Sequence, residues 1–304
     1  MNAFIFPGQG AQYVGMGKDL CEAFPESKKI FDVADKVLNF PVSKLCFEGP
    51  VEDLTRTVNC QPAIFTVSIA CLAAFRSAVN FQLPTVSYMA GLSLGEYAAL
   101  VAAGAISFDD GLSLVASRAK FMDEAAGEKP GKMSSILGLN SDIIVKIVQE
   151  AGAEIANLNC PGQVVITGSP EVVDKANSLA LTHGAMRVIN LGVSGAFHSS
   201  LMQSAAQRLT KKINNVNIKE PEVAVVSNVT ALPESNPEKI KDNLISQVTS
   251  SVFWEKSIRF MIEKGTNKFF EIGPGKVLRG LIRKIDPSVE VVNIGKKEDL
   301  LPGG

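Results

Sequence analysis

Short, uniformly apolar runs alternate along most of this chain with longer segments in which apolar residues recur every third or fourth position. The short runs 3–6, 86–90, 223–227, 268–272 and 289–293 read as buried strands. Between them, helical spacing falls near 26–38, 61–79, 93–104, 108–125, 200–213, 237–247, 254–263 and 275–284. Strand and helix in alternation predict an α/β fold around a largely parallel sheet. The middle of the chain changes rhythm. After the linker-like Gly127-Glu128-Lys129-Pro130-Gly131 come a strand (133–138), a helix (141–151), two strands near 154–158 and 163–168, a helix (170–183) and a strand (185–191). That β-α-β-β-α-β order is the ferredoxin-like unit. The expected architecture is therefore an α/β-hydrolase-like large subdomain, residues 1–127 and 193–304, carrying an inserted ferredoxin-like small subdomain, residues 128–192.

Composition narrows the function. The 304 residues are 46% apolar, ample for a sizeable core, and the formal net charge of −1 gives no reason to expect nucleic acid or a membrane surface. Met1-Asn2-Ala3-Phe4-Ile5-Phe6 runs straight into Pro7-Gly8, too short for a signal sequence, and every long apolar stretch is interrupted by polar residues. Cys21, Cys46, Cys60, Cys71 and Cys160 form no C-x-x-C pair and no cluster with histidine, so no metal is expected and a reducing compartment is. The expected setting is the cytoplasm, or a plastid or other organelle if a transit segment precedes these residues.

The chemistry concentrates in Ala90-Gly91-Leu92-Ser93-Leu94-Gly95-Glu96. A G-x-S-x-G run between a strand and an alanine-rich helix forms a nucleophile elbow: a sharp turn that lifts the serine hydroxyl clear of the backbone beside free helix amides. A serine needs a base. Of two histidines, His183 reads as an exposed residue at a helix end. His198 follows the small-residue turn Val193-Ser194-Gly195-Ala196-Phe197 and precedes a helix, where an imidazole can point into a cleft; a loop-capping histidine is the plain alternative. Arg118 sits in a helix opened by a capping box at Ser107 and Asp110. Leu114, Val115, Phe121 and Met122 share its face, so the guanidinium points to the core side and must find a partner there.

Further motifs fall in order along the chain: Phe4-Ile5-Phe6-Pro7-Gly8-Gln9-Gly10 near the start, Gln247-Val248-Thr249-Ser250, and Glu271-Ile272-Gly273-Pro274-Gly275-Lys276 near the end. With the serine elbow, Arg118 and Phe197-His198, the chain resembles the malonyl-CoA:acyl carrier protein transacylases from about residue 4 to about residue 294. The resemblance implies that Ser93 accepts the acyl group and His198 is its base. It implies that the main-chain carbonyl of Gln247 orients His198, and that the N–H groups of Gln9 and Leu94 form the oxyanion hole. Arg118 would bind the malonyl carboxylate, and Phe197 would favour malonyl over α-methyl substrates. Asn157 and Asn159 would face the cleft between subdomains from the insert; a plain turn role before Pro161-Gly162 stays open. Leu92 departs from the commoner histidine before the nucleophile, which puts the strictness of malonyl selection in question.

The implied substrate is malonyl-CoA, and the implied partner an acyl carrier protein bearing phosphopantetheine, with no bound cofactor and a monomeric enzyme. Carrier proteins are acidic, so Lys211, Lys212, Lys276, Arg279, Arg283 and Lys284 are candidates for a docking rim, though such runs are ordinarily a solvated face. Fatty-acid synthesis is the first expected setting. A polyketide assembly line served by a free-standing acyltransferase, or a proofreading acyl hydrolase, is the alternative.

Overall fold

The computed structural model describes residues 1–79 and 86–300; positions 80–85 and 301–304, which the expected large subdomain includes, lie outside the described residues. The chain runs β1 (Asn2–Phe6), α1 (Lys18–Ala23), α2 (Pro25–Leu38), α3 (Val42–Glu48), α4 (Val51–Thr55), α5 (Thr57–Val79), β2 (Val86–Gly91), α6 (Gly95–Ala102) and α7 (Phe108–Glu128). There follow β3 (Lys132–Leu137), α8 (Ser141–Ala151), β4 (Glu154–Cys160), β5 (Gln163–Gly168), α9 (Pro170–Thr182) and β6 (Arg187–Asn190). A short 3-10 turn (Ser200–Met202) leads into α10 (Gln203–Ile213), β7 (Ala224–Val226), β8 (Pro233–Glu234), α11 (Pro237–Gln247), α12 (Trp254–Glu263), β9 (Lys268–Ile272), α13 (Val277–Ile285) and β10 (Glu290–Ile294).

The large sheet has the order β10-β9-β1-β2-β7-β8, with every pairing parallel except the terminal β7–β8 hairpin. Parallel strands buried on both faces need unbroken apolar runs, and Ala3, Phe4, Ile5 and Phe6 of β1 are all fully buried. The second sheet has the order β4-β5-β3-β6 and is antiparallel throughout, which is the ferredoxin-like arrangement, with α8 and α9 packed on one face. α5 crosses the core and is long and apolar enough by composition to span a bilayer, but most of it is buried inside the fold.

Three helices and one strand are additional to the sequence reading: α1, α3, α4 and the two-residue β8. Each is too short for periodicity to register. The expected helix 93–104 begins instead at Gly95, because Ser93 takes a left-handed backbone (φ 53°) and cannot join it. The expected helix 200–213 opens as a 3-10 turn before α10. In the capping box, Ser107 Oγ accepts the Asp110 N–H as foreseen. Its hydroxyl then donates to the Asp110 carboxylate (2.7 Å), so the acid does not return to the backbone of Ser107.

The strands that matter most end on one side. The adjacent strands β1, β2 and β7 lead at their carboxyl ends into Gln9, Ser93 and Asn228, on the side of the sheet where ligands of open α/β folds bind. β4 reaches the same region from the small sheet: Val252 N–H donates to Ala156 O (2.8 Å), and Leu158 N–H donates to Val252 O (3.0 Å).

Candidate active site

Two glycines make the elbow around Ser93. A Cβ on Gly91 would lie 1.9 Å from the Gly95 carbonyl carbon, and one on Gly95 would lie 2.2 Å from Phe6 O, so only glycine lets strand, turn and helix approach this closely. Ser93 is held in its left-handed conformation by its N–H, which donates to Asn228 Oδ1 (2.7 Å). Asn228 Nδ2 in turn donates to Gly91 O (2.7 Å), tying the turn to the strand that feeds it.

Ser93 Oγ lies 2.8 Å from His198 Nε2, and His198 Nδ1 lies 2.8 Å from the main-chain carbonyl of Gln247. A carbonyl only accepts, so Nδ1 carries the proton. Nε2 is left with a lone pair aimed at the serine hydroxyl. His198 is 5% exposed and also holds a left-handed backbone (φ 59°). Burial, and then the neighbouring Arg118 charge, push its pKa down from 6.5 to about 4, which keeps the imidazole neutral at physiological pH. Two observed anchors secure its loop. Ser199 Oγ–H donates to Ala196 O (2.6 Å), and the Glu154 carboxylate of β4 accepts the Ser200 N–H (3.1 Å) and hydroxyl (2.6 Å).

Arg118 projects from α7 into the same point and is 1% exposed. Its Nη2 donates to Ser93 Oγ (2.8 Å) and Gln247 Oε1 (3.1 Å), and its Nη1 donates to Gln61 Oε1 (2.6 Å). The guanidinium carbon stands 5.8 Å from the centre of the Tyr97 ring. Among the described residues no carboxylate lies within ion-pair distance of this buried cation. A buried guanidinium paired only with neutral groups is poised for an anion.

Gln9 and Leu94 flank the elbow, one on the turn after β1 and one at the N-terminus of α6; the Gln9 side chain reaches Thr57 Oγ1 (3.4 Å). Leu92 is half-buried against the apolar cluster around Ala3, Ile5 and Ala90. Phe197, expected at the substrate, is 5% exposed and packs into the main core. Asn157 and Asn159 lie buried on β4 but bond to none of Ser93, His198 and Arg118. A cavity of about 360 Å³ opens beside His198, lined by Val145 and Val148 of α8, Glu154 and Ile155 of β4, and Thr249 and Ser250. On the candidate rim, Lys211, Lys212, Lys276, Arg283 and Lys284 are exposed. Arg279 is partly turned inward, donating to Asn293 Oδ1 (3.2 Å).

Sequence reasoning passed over Gln61, Glu96 and Asn228, and gave Gln247 only its carbonyl. Each left a faint trace. Gln61 is a polar residue near the start of a largely apolar helix, Glu96 an acid in a first helical turn, and Asn228 a polar residue just past a buried strand. Among the described residues no group of three or more His, Cys, Asp or Glu side chains could hold a metal ion.

A strained serine bonded to a neutral histidine, with a buried guanidinium on the same hydroxyl, defines a serine-dependent group-transfer enzyme. Residues 3–299 match the acyl transferase domain family, and the chain belongs to it. It is 45% identical over 303 residues to the malonyl CoA-acyl carrier protein transacylase of Bacillus subtilis, covering 98% of this chain and 94% of that one. To the protein of that name from Escherichia coli K12 it is 40% identical, covering 93% and 92%. Its fold is similar to the crystal structure of acyl-carrier-protein-S-malonyltransferase from Bartonella henselae (TM-score 0.95, 39% identity, 98% and 96% covered). It is also similar to a malonyl-transacylase in complex with a type II PKS acyl-carrier protein (TM-score 0.94, 36% identity, 98% and 97% covered).

Proposed function

We propose that this enzyme moves a malonyl group from malonyl-CoA to the phosphopantetheine thiol of an acyl carrier protein, for fatty-acid synthesis, through an ester on Ser93. The observation that carries this reading is the Arg118 guanidinium, buried, without a carboxylate at ion-pair distance among the described residues, and 2.8 Å from Ser93 Oγ. A malonyl carboxylate supplies the missing anion and in doing so sets the thioester carbonyl beside the hydroxyl.

In this account His198 Nε2 takes the Ser93 proton as Oγ attacks the thioester carbon. The tetrahedral oxyanion is met by the N–H groups of Gln9 and Leu94. His198, now an imidazolium held at Nδ1 by the Gln247 carbonyl, returns the proton to the departing CoA thiol. The malonyl-serine ester remains. The carrier-bound thiol then gives its proton to His198, attacks the ester, and leaves as malonyl thioester while Ser93 recovers its proton. All of this chemistry is assigned to side chains and amides of one chain, so the reading is of a monomer, working in the cytoplasm. Leu92 and Phe197 are read as shaping the acyl pocket, and Asn157 and Asn159 as lining the route of the pantetheine arm. Residues 1–127 and 193–304 are read as the catalytic unit and 128–192 as the inserted one. The exposed Lys211, Lys212, Lys276, Arg283 and Lys284 are the side chains offered to an acidic carrier.

The solved malonyl-transacylase bound to a polyketide carrier gives the polyketide setting a specific basis, and the site would serve either carrier unchanged. The test is transfer of malonyl from malonyl-CoA to purified holo carrier proteins of fatty-acid and polyketide type. Ser93-dependent transfer to the fatty-acid carrier is expected. Transfer only to the polyketide carrier would move the enzyme to the second setting, and hydrolysis without transfer would reject both.

A further inference from the structure

Glu96 is 4% exposed and carries no role in the mechanism above, yet it touches the supports of all three reacting groups. It stands in the first turn of α6, three residues past Ser93. One oxygen, Oε2, accepts both the Gln247 Nε2–H (2.7 Å) and the Asn228 N–H (3.1 Å). Asn228 is the residue whose side chain holds Ser93 in its left-handed turn. Gln247 holds His198 by its carbonyl, Arg118 by its side-chain oxygen, and Ser93 O by its Nε2 (3.1 Å).

We propose that Glu96 is a positioning residue that fixes the Gln247 amide and the Asn228 backbone, and through them the geometry of Ser93 and the acyl selectivity set by Arg118. The inference rests on the malonyl-transfer reading for its selectivity part only. The physical reason is the asymmetry of an amide. Flipped by half a turn, the Gln247 side chain would present its NH2 to the guanidinium, donor against donor, and its oxygen to the Glu96 carboxylate, acceptor against acceptor. Glu96 and Arg118 thus exclude the flip from opposite ends. Without the carboxylate one constraint is lost, and two buried donors are left without their acceptor. Both donors meet Oε2, and burial pushes the Glu96 pKa up to about 7, so a proton held on the other oxygen, Oε1, leaves both bonds in place. Glutamine fits the same position, with its oxygen at Oε2. Stabilisation of α6 through its helix dipole is the plain alternative, because an acid in a first turn is favourable there anyway.

The experiment compares Glu96→Met, which fills the space without an acceptor, Glu96→Gln, and Leu100→Ala, which loosens the same buried helix away from the site. Two rates are read by intact-protein mass spectrometry. One is acylation by malonyl-CoA and by acetyl-CoA, and the other is phosphonylation of Ser93 by a fluorophosphonate, which needs no malonyl group. Glu96→Met is expected to slow phosphonylation and to lower the malonyl-to-acetyl ratio of kcat/KM, each by roughly tenfold, the scale of one lost buried hydrogen bond. Glu96→Gln is expected within about threefold of wild type on both. Leu100→Ala lowers the melting temperature and leaves the ratio in place. If Glu96→Met fails to fold, Glu96→Leu, which likewise offers no acceptor, replaces it. A folded acceptor-free variant with wild-type rates, a Gln variant as impaired as Met, or a Leu100→Ala ratio that falls equally would overturn the proposal. If wild type takes up no malonyl group, the functional reading fails, and the phosphonylation series still decides the role of Glu96.

Discussion

Removing the Arg118 guanidinium separates selection of the acyl group from the machinery that transfers it. In the free site the side chain makes hydrogen bonds to neutral partners at 2.6, 2.8 and 3.1 Å, and among the described residues no carboxylate lies within ion-pair distance of it. A malonyl carboxylate therefore gains a buried, charge-assisted pair, and truncating one partner of such a pair costs about 2–5 kcal/mol. Arg118→Ala should lower kcat/KM for malonyl-CoA by roughly 30- to 4,000-fold, since each 1.4 kcal/mol is tenfold. Acetyl-CoA has no carboxylate to lose. It forfeits only the Nη2 bond to Ser93 Oγ, about 1–2 kcal/mol, so it should slow by roughly tenfold. The malonyl-to-acetyl ratio then falls by roughly 3- to 400-fold. Arg118→Lys keeps the charge but cannot span Gln61, Gln247 and Ser93 together, and should lie between the two. The assay mixes each variant briefly with an equimolar pair of acyl-CoAs and reads the two acyl-enzyme masses. A ratio that stays at the wild-type value in a folded Arg118→Ala protein would refute the reasoning, since the carboxylate would then have been recognised elsewhere.

Because burial and Arg118 hold the His198 pKa at about 4, below the ordinary 6.5, the base stays neutral above that pH. The acylation rate should be flat as pH falls from about 8 to about 5 and drop only below that; a midpoint near 6.5 in the stopped-flow profile would contradict the geometry. At Gly91 an added methyl would collide with the backbone of Gly95 at 1.9 Å. Gly91→Ala should therefore lose acylation and destabilise the fold by about 3 kcal/mol or more, as overpacking against rigid backbone does. Thermal unfolding checks this, and an unshifted melting temperature would mean that the elbow yields more easily than the contact implies.

Periodicity could be read where elements are long. The boundaries of α8, α11 and α12 follow directly from their apolar spacing, whereas α1, α3 and α4 carry too few turns to show one. The serine elbow was legible because close packing needs two glycines at fixed offsets from one serine. The Arg118 position was legible because a charge on an apolar face is conspicuous. The polar layer beneath was not. Gln61, Glu96, Asn228 and the Gln247 side chain come from four separate segments, and their bonds exist only once the sheet brings those segments together. Phe197 is a different case: its ring packs with the main core directly beside His198, and a single apolar residue before a histidine carries no spacing from which that could be read.

The central claim is that the malonyl group passes through Ser93. Brief exposure of wild type and Ser93→Ala to malonyl-CoA, followed by proteolysis and mass mapping, tests it most directly. The account predicts one malonyl ester, on the peptide containing Ser93, which is absent from the Ser93→Ala protein and is discharged by a holo carrier protein. A malonyl adduct that persists in folded Ser93→Ala, or maps to another residue, would contradict it.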